Sequence, residues 1–207
     1  MTNSDSTTTT APGSADRPDF LGAYDQAVHQ LADVVAGLSP EQAGRPTPCT
    51  EYDLENLVGH VLTGIRRAAR VAVGGDPFGE APIEVPVGGR TWGDQVRGEA
   101  AAAVAAWTAA DLEVIVAVPW GQVPGWAALA GYVQESTVHA WDLAVASRGR
   151  VVDLGLDPSL AELSIGIARQ AIPDEARGEG QPFGLEQPAP KGADAYTRLA
   201  AVTGRPV

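Results

Sequence analysis

Cysteine is nearly absent: Cys49 is the single one in 207 residues. An intrachain disulfide framework and a cysteine-built zinc finger or ribbon are therefore both excluded. Histidine is scarce as well, limited to His29, His60 and His139, so any metal site must be assembled from these rings and from carboxylates. Hydrophobic residues make up 44% of the chain, yet no run of eighteen apolar residues occurs, which argues against a membrane-spanning helix, and no membrane partner is expected. The first twenty residues are polar rather than an apolar signal segment, and a cytoplasmic protein is expected. Cations are few, with 14 Lys and Arg against 26 Asp and Glu and a formal net charge of -12. A nucleic-acid-binding face needs clustered Lys and Arg to displace counterions, so no nucleic-acid partner is expected. The nearest cluster, Arg66, Arg67 and Arg70, falls near the end of an expected helix, where cations complement the helix dipole.

What the chain has is helical periodicity. Its length suits one domain with a sizeable core, expected over residues 20–207. Residues 1–19 are Thr, Ser, Asp and Pro with little to bury, and are expected to form a disordered tail. Phe20, Tyr24, Val28, Leu31, Val35 and Leu38 recur at steps of three and four, predicting an amphipathic helix that Ser39 and Pro40 end. Asp53 is a plausible N-cap for a second helix through Leu57, Val61 and Ile65, stopped by Gly74 and Gly75. A Gly- and Pro-rich stretch to Arg90 follows, long enough to be a site wall or lid and equally readable as a long connection. A third helix is expected from Trp92 to Trp107. Val114 to Val118 reads as extended, and the segment from Pro119 to Gly125 as a turn cluster. The fourth helix is expected from Trp126 to about Ala146. Asp157 and Pro158 open a fifth, and a short last helix runs from about Ala193 to Gly204. The expectation is an all-α, antiparallel four-helix bundle with additional C-terminal helices.

The residues that carry chemistry lie on the second and fourth helices. Glu135 and His139 are four apart, so they project from one helix face within reach of one ion. His60 sits at the edge of the second helix's inward stripe and supplies a third candidate ligand. Two imidazoles and one carboxylate suit a catalytic divalent site with positions left open. Asp142, three residues after His139, is placed to accept the other ring N–H of His139. By spacing alone a Glu–His pair four apart is more often a solvated pair, and His60 on a different helix leaves the two readings equally open. His29 lies off the apolar stripe and is expected to be exposed. Cys49 reads as a small buried thiol rather than a nucleophile. Trp120, Trp126, Tyr132 and Trp141 read either as a pocket lining above the ion or as plain core.

Two segments, residues 47–60 (TPCTEYDLENLVGH) and 135–144 (ESTVHAWDLA), resemble the actinobacterial branch of the DinB/YfiT-like superfamily. That branch includes the mycothiol-dependent maleylpyruvate isomerase N-terminal domain and a group of uncharacterised metal-binding proteins. The closing segments 182–190 (PFGLEQPAP) and 198–205 (RLAAVTGR) resemble the latter group. The resemblance implies a DinB-like bundle holding one divalent metal, zinc by default with nickel, iron or manganese also suited, on His60, Glu135 and His139. It also implies a low-molecular-weight thiol such as mycothiol as co-substrate, with a metal-dependent thiol transferase or isomerase acting on a small electrophile. Tyr52 departs from the Trp usual in the isomerase, and with only about sixty residues after the fourth helix that enzyme's separate C-terminal domain is expected to be missing. The alternatives are a metal-dependent hydrolase or lyase without a thiol, and a non-catalytic module binding metal or a small ligand. A monomer or homodimer is expected.

Overall fold

The computed structural model describes residues 17–79, 82–83, 91–149, 155–181 and 183–207. Six helices account for most of it: α1 (Phe20–Ala36), α2 (Leu54–Ala72), α3 (Trp92–Ala109), α4 (Gly125–Arg148), α5 (Pro158–Ala171) and α6 (Ala195–Val202). Local chemistry sets their starts. Asp19, Asp53, Thr91, Asp157 and Asp194 each accept a backbone N–H of the first turn through the side chain, satisfying donors the helix itself leaves open. Pro158 occupies the first position of α5, where its missing N–H costs nothing.

The first four helices form the bundle, with α1 against α3 and α4, and α2 against α3 and α4. Its core is built from Val28, Leu31, Leu54, Leu57, Leu62, Val96, Trp107, Leu129, Val133 and Leu143, all buried. The fold is the expected all-α, DinB-like arrangement. A second, smaller apolar cluster joins Val138 and Trp141 of α4 to Ala161 and Ile165 of α5 and Tyr196 and Leu199 of α6. α4 thus packs on both sides. Its buried residues run around the helix instead of along one stripe, the pattern of a helix enclosed by protein.

One element differs from expectation. The segment from Pro119 to Gly125 is not simply a turn cluster: Gly121–Pro124 forms β2, which pairs antiparallel with β1 (Ile115–Val118). Pro119 and Trp120 make the connection, matched by the Val118–Gly121 pairing. Gly and Pro read as punctuation, yet in a short hairpin they sit at the ends of paired strands.

Of the expected tail, residues 1–16 lie outside the described residues, whereas Arg17 and Asp19 make specific contacts. Arg17 Nη1 donates to Glu113 Oε1 at 2.7 Å, and the guanidinium lies 4.4 Å over the Trp126 ring. Of the expected wall after α2, residues 80–81 and 84–90 also lie outside. Among the described residues no helix is long and apolar enough to cross a membrane.

Candidate metal centre and adjoining cleft

α2 and α4 run side by side, and their facing turns bring His60, Glu135 and His139 together. One potential ligand atom from each lies within 4.8 Å of the others. His60 Nε2 donates to Glu135 Oε1 at 2.9 Å, and His139 Nε2 stands 3.2 Å from the same oxygen. The two imidazoles meet edge to face, with centroids 5.1 Å apart. Tyr52, just before the Asp53 cap, lays its ring 4.8 Å from that of His60. The turn bearing Tyr52 is pinned by the Thr47 hydroxyl, shared between the carbonyls of Cys49 at 2.9 Å and Tyr52 at 2.8 Å.

Behind His139 the site is polar and closed. His139 Nδ1 donates to Asp142 Oδ2 at 3.0 Å. Asp142, with 0% of its surface exposed, is also met by Arg205, whose Nη2 donates to Oδ2 at 3.0 Å and Nε to Oδ1 at 3.3 Å. Burial alone would raise the Asp142 carboxyl, but the Arg205 charge and the His139 contact outweigh it and hold it low. Burial likewise opposes ionisation of Glu135, yet the His139 charge and hydrogen bonds from both imidazoles keep its carboxyl well below the usual range. Burial also disfavours a charged His139. Glu135 and Asp142 on its two sides win, and its pKa is raised to about 9.

A second group, Cys49, His139 and Asp142, is equally compact. It suits a cation poorly, because the Arg205 guanidinium already neutralises Asp142 and would repel another positive charge. Burial pushes the Cys49 thiol up to about 11, so the soft ligand of that set stays protonated at neutral pH. In the His60, Glu135 and His139 set the shared carboxylate oxygen is met by the two imidazoles. A carboxylate oxygen converging with two imidazole Nε2 atoms, one imidazole anchored from behind, is a donor set that fits a divalent metal.

The set borders open space. A cleft of about 900 Å³ runs along the outer face of α2, lined by Glu51, Tyr52, Glu55, His60, Arg67 and Ile83 among others. Gly59, one residue before His60, lets the Ile83 backbone approach α2 closely: a Cβ there would meet the Ile83 carbonyl oxygen at 2.6 Å. Ile83 in turn donates its backbone N–H to Thr63 Oγ1, which ties that wall to α2. Arg67 Nε donates to the Pro77 carbonyl at 2.8 Å. Arg66 pairs with Glu99 at 2.6 Å, so the cationic cluster is dispersed into separate local contacts.

The sequence-derived quartet of His60, Glu135, His139 and Asp142 is contiguous in space. The tryptophans are elsewhere: Trp141 in the second apolar cluster, Trp126 stacked with Phe20, and Trp120 half exposed against Tyr132. His29 is exposed and 2.7 Å from Asp25. Cys49 and Arg205 were not anticipated beside the site. No local pattern links Arg205 to Asp142, since 63 positions separate them, and the available signal was its place at the end of the family-resembling segment 198–205.

A helical bundle with an imidazole–carboxylate cluster between its second and fourth helices, open to a cleft, defines the class: a DinB-like protein with a candidate cation site. More particularly, residues 24–144 match the description "Mycothiol maleylpyruvate isomerase N-terminal domain", and the chain belongs to that family. Over 192 residues it is 35% identical to "Uncharacterized protein Rv0738" of Mycobacterium tuberculosis strain H37Rv, covering 91% of this chain and 99% of that protein. "Uncharacterized protein MT0763" of strain CDC 1551 matches with the same figures. Among solved structures it is similar to the mycothiol-dependent maleylpyruvate isomerase, with a TM-score of 0.54. A histidine-to-alanine mutant of that enzyme gives 0.59. Each covers 83% of this chain and 76% of the other at 16% identity, a likeness of fold.

Proposed function

We propose that this protein is a divalent-metal-dependent thiol enzyme, using mycothiol or a similar low-molecular-weight thiol on a small electrophile in the cytoplasm, with residues 20–207 as one domain. The observation that carries the reading is the convergence of His60 Nε2 and His139 Nε2 on Glu135 Oε1, at 2.9 and 3.2 Å, beside an open cleft. Membership of the isomerase family supports the thiol.

A divalent cation at these three residues supplies the positive charge that favours a thiolate over a thiol of ordinary pKa about 8.5. Imidazole and carboxylate suit zinc first, with nickel, iron and manganese as further candidates. The chain's own residues do the rest. Asp142 takes the Nδ1 proton of His139 in a hydrogen bond and leaves Nε2 directed at Glu135. Tyr52 backs the His60 ring, and Arg67 and Asn56 line the space where a polar substrate would lie. A thiol bound here would supply the sulfur nucleophile for addition to a conjugated electrophile, giving a conjugate after protonation or, when the addition reverses after rotation about the former double bond, the geometric isomer with the thiol regenerated.

The first test is elemental analysis of wild type, His60→Ala and His139→Ala, purified in parallel without chelator. A stoichiometric ion in the wild type and its loss from both variants is the expected result, followed by metal-dependent consumption of thiol against an electrophile panel. No bound metal after reconstitution would overturn the reading. Turnover of esters or amides without any thiol would move it to hydrolysis.

A further inference from the structure

Arg205 reaches the site from beyond the family-matched segment, and the C-terminal residues build its approach. α6 ends with Thr203 N–H on Leu199 O, and Arg205 N–H on Ala200 O at 2.9 Å. Gly204 makes the turn with φ +78, and a Cβ on it would meet the Gly184 backbone at 2.3 Å. Arg177 Nη1 donates to Val202 O at 2.7 Å, and Gln187 N–H to Ala201 O at 2.9 Å. Two backbones are thereby locked together at glycines, and the next residue is turned inward to the bundle.

What it meets there is Asp142, the aspartate hydrogen-bonded to His139. The guanidinium binds both Asp142 oxygens and also donates from Nη1 to Thr203 O at 3.4 Å. A buried carboxylate with a single partner is costly, and its geometry is free to change. With a two-pronged guanidinium on it, the carboxylate plane is fixed.

We infer that Arg205 is a positioning residue for the centre: by clamping Asp142 it sets the ring orientation and the Nδ1–H hydrogen bond of His139, and so keeps His139 Nε2 directed at Glu135. The C-terminal arm of the chain thus completes, from behind, a site whose ligands all come from α2 and α4. The alternative is an ion pair that only anchors α6 to α4. The inference rests on the proposed centre for its metal readout and stands apart from it for its spectroscopic one.

The experiment compares the full-length wild type with Arg205→Ala and Arg205→Lys. Imidazole resonances are recorded by NMR on metal-free protein, and zinc affinity is measured by competition with a chromophoric chelator. In the wild type a protected, downfield Nδ1 proton of His139 is expected. In Arg205→Ala it is lost while the exposed His29 is unchanged, and zinc affinity falls about 10–100-fold. Methylguanidinium at sub-denaturing concentration restores both, and Arg205→Lys, which cannot meet both oxygens, lies between. An Arg205→Ala protein with an unchanged His139 resonance and zinc affinity, and only a lower melting temperature, would overturn the inference. Should that variant fail to fold, Arg205→Lys decides by the same two readouts: a shifted Nδ1 resonance supports positioning, and an unchanged one overturns it. A wild type that binds no zinc removes the proposed centre, while the metal-free resonance still judges Arg205.

Discussion

Glu135 Oε1 is shared by two imidazoles, and Asp142 by an imidazole and a guanidinium, so in the metal-free protein His139 is a cation between two carboxylates. The consequence for stability has a definite sign. The His139 pKa is raised from 6.5 to about 9, so its contribution is complete below about pH 6.5 and is lost as pH rises through 9. The Glu135 carboxyl is lowered from 4.5, so its contribution is complete above about pH 4.5 and is lost only in stronger acid. Metal-free protein should therefore be most stabilised by this pair between about pH 4.5 and 6.5, with the melting temperature falling from pH 7 to 9.5. The fall should be smaller in His139→Gln. A melting temperature that climbs over that range in the wild type would contradict the assignment. A metal ion competes with the same proton, so uptake should release acid.

At the level of elements, the helices with one wet face were readable and the enclosed one was less so. α2 announced itself through the Asp53 cap and the stripe Leu54, Leu57, Val58, Val61, Ile65, and this stripe placed His60 at its edge. α4 was located by the turn cluster from Pro119 to Gly125 that precedes it, because burial on all sides erases the amphipathic signal. The β hairpin was half legible: Ile115–Val118 has the β-branched residues of a strand, but its partner Gly121–Pro124 owes its pairing to the neighbouring strand rather than to its own propensity. The pairing of Arg205 with Asp142 was illegible, since long-range ion pairs leave no local trace. The α6 end offers a test at this scale. Gly204→Ala forces a Cβ into the Gly184 backbone at positive φ and should cost about 2 kcal/mol or more by chemical denaturation. A neutral effect would mean that segment 183–187 shifts freely against α6.

For the whole molecule, a net charge of -12 makes long-range repulsion a standing feature of the folded state. Added salt screens it over a distance of about 10 Å at 0.1 M. The melting temperature should therefore rise between low and physiological ionic strength, because the buried Asp142–Arg205 pair is screened much less than the surface charges. Passage through heparin or DNA resin without retention at low salt is the companion expectation. A melting temperature that drops with salt, or retention on the resin, would show that local charge patterns outweigh the net.

Because α4 is packed by the bundle on one side and by α5 and α6 on the other, it has almost no surface on which substitutions are free. In a saturation scan its central turns should form a continuous intolerant block, without the gaps every three or four positions that an ordinary surface helix leaves. Changes that retune the protein for a different ligand are then confined largely to α2 and the cleft wall around Ile83. Cleft-lining residues such as Glu55, Asn56 and Ile83, more than the His60, Glu135 and His139 set, are where relatives have freedom to diverge.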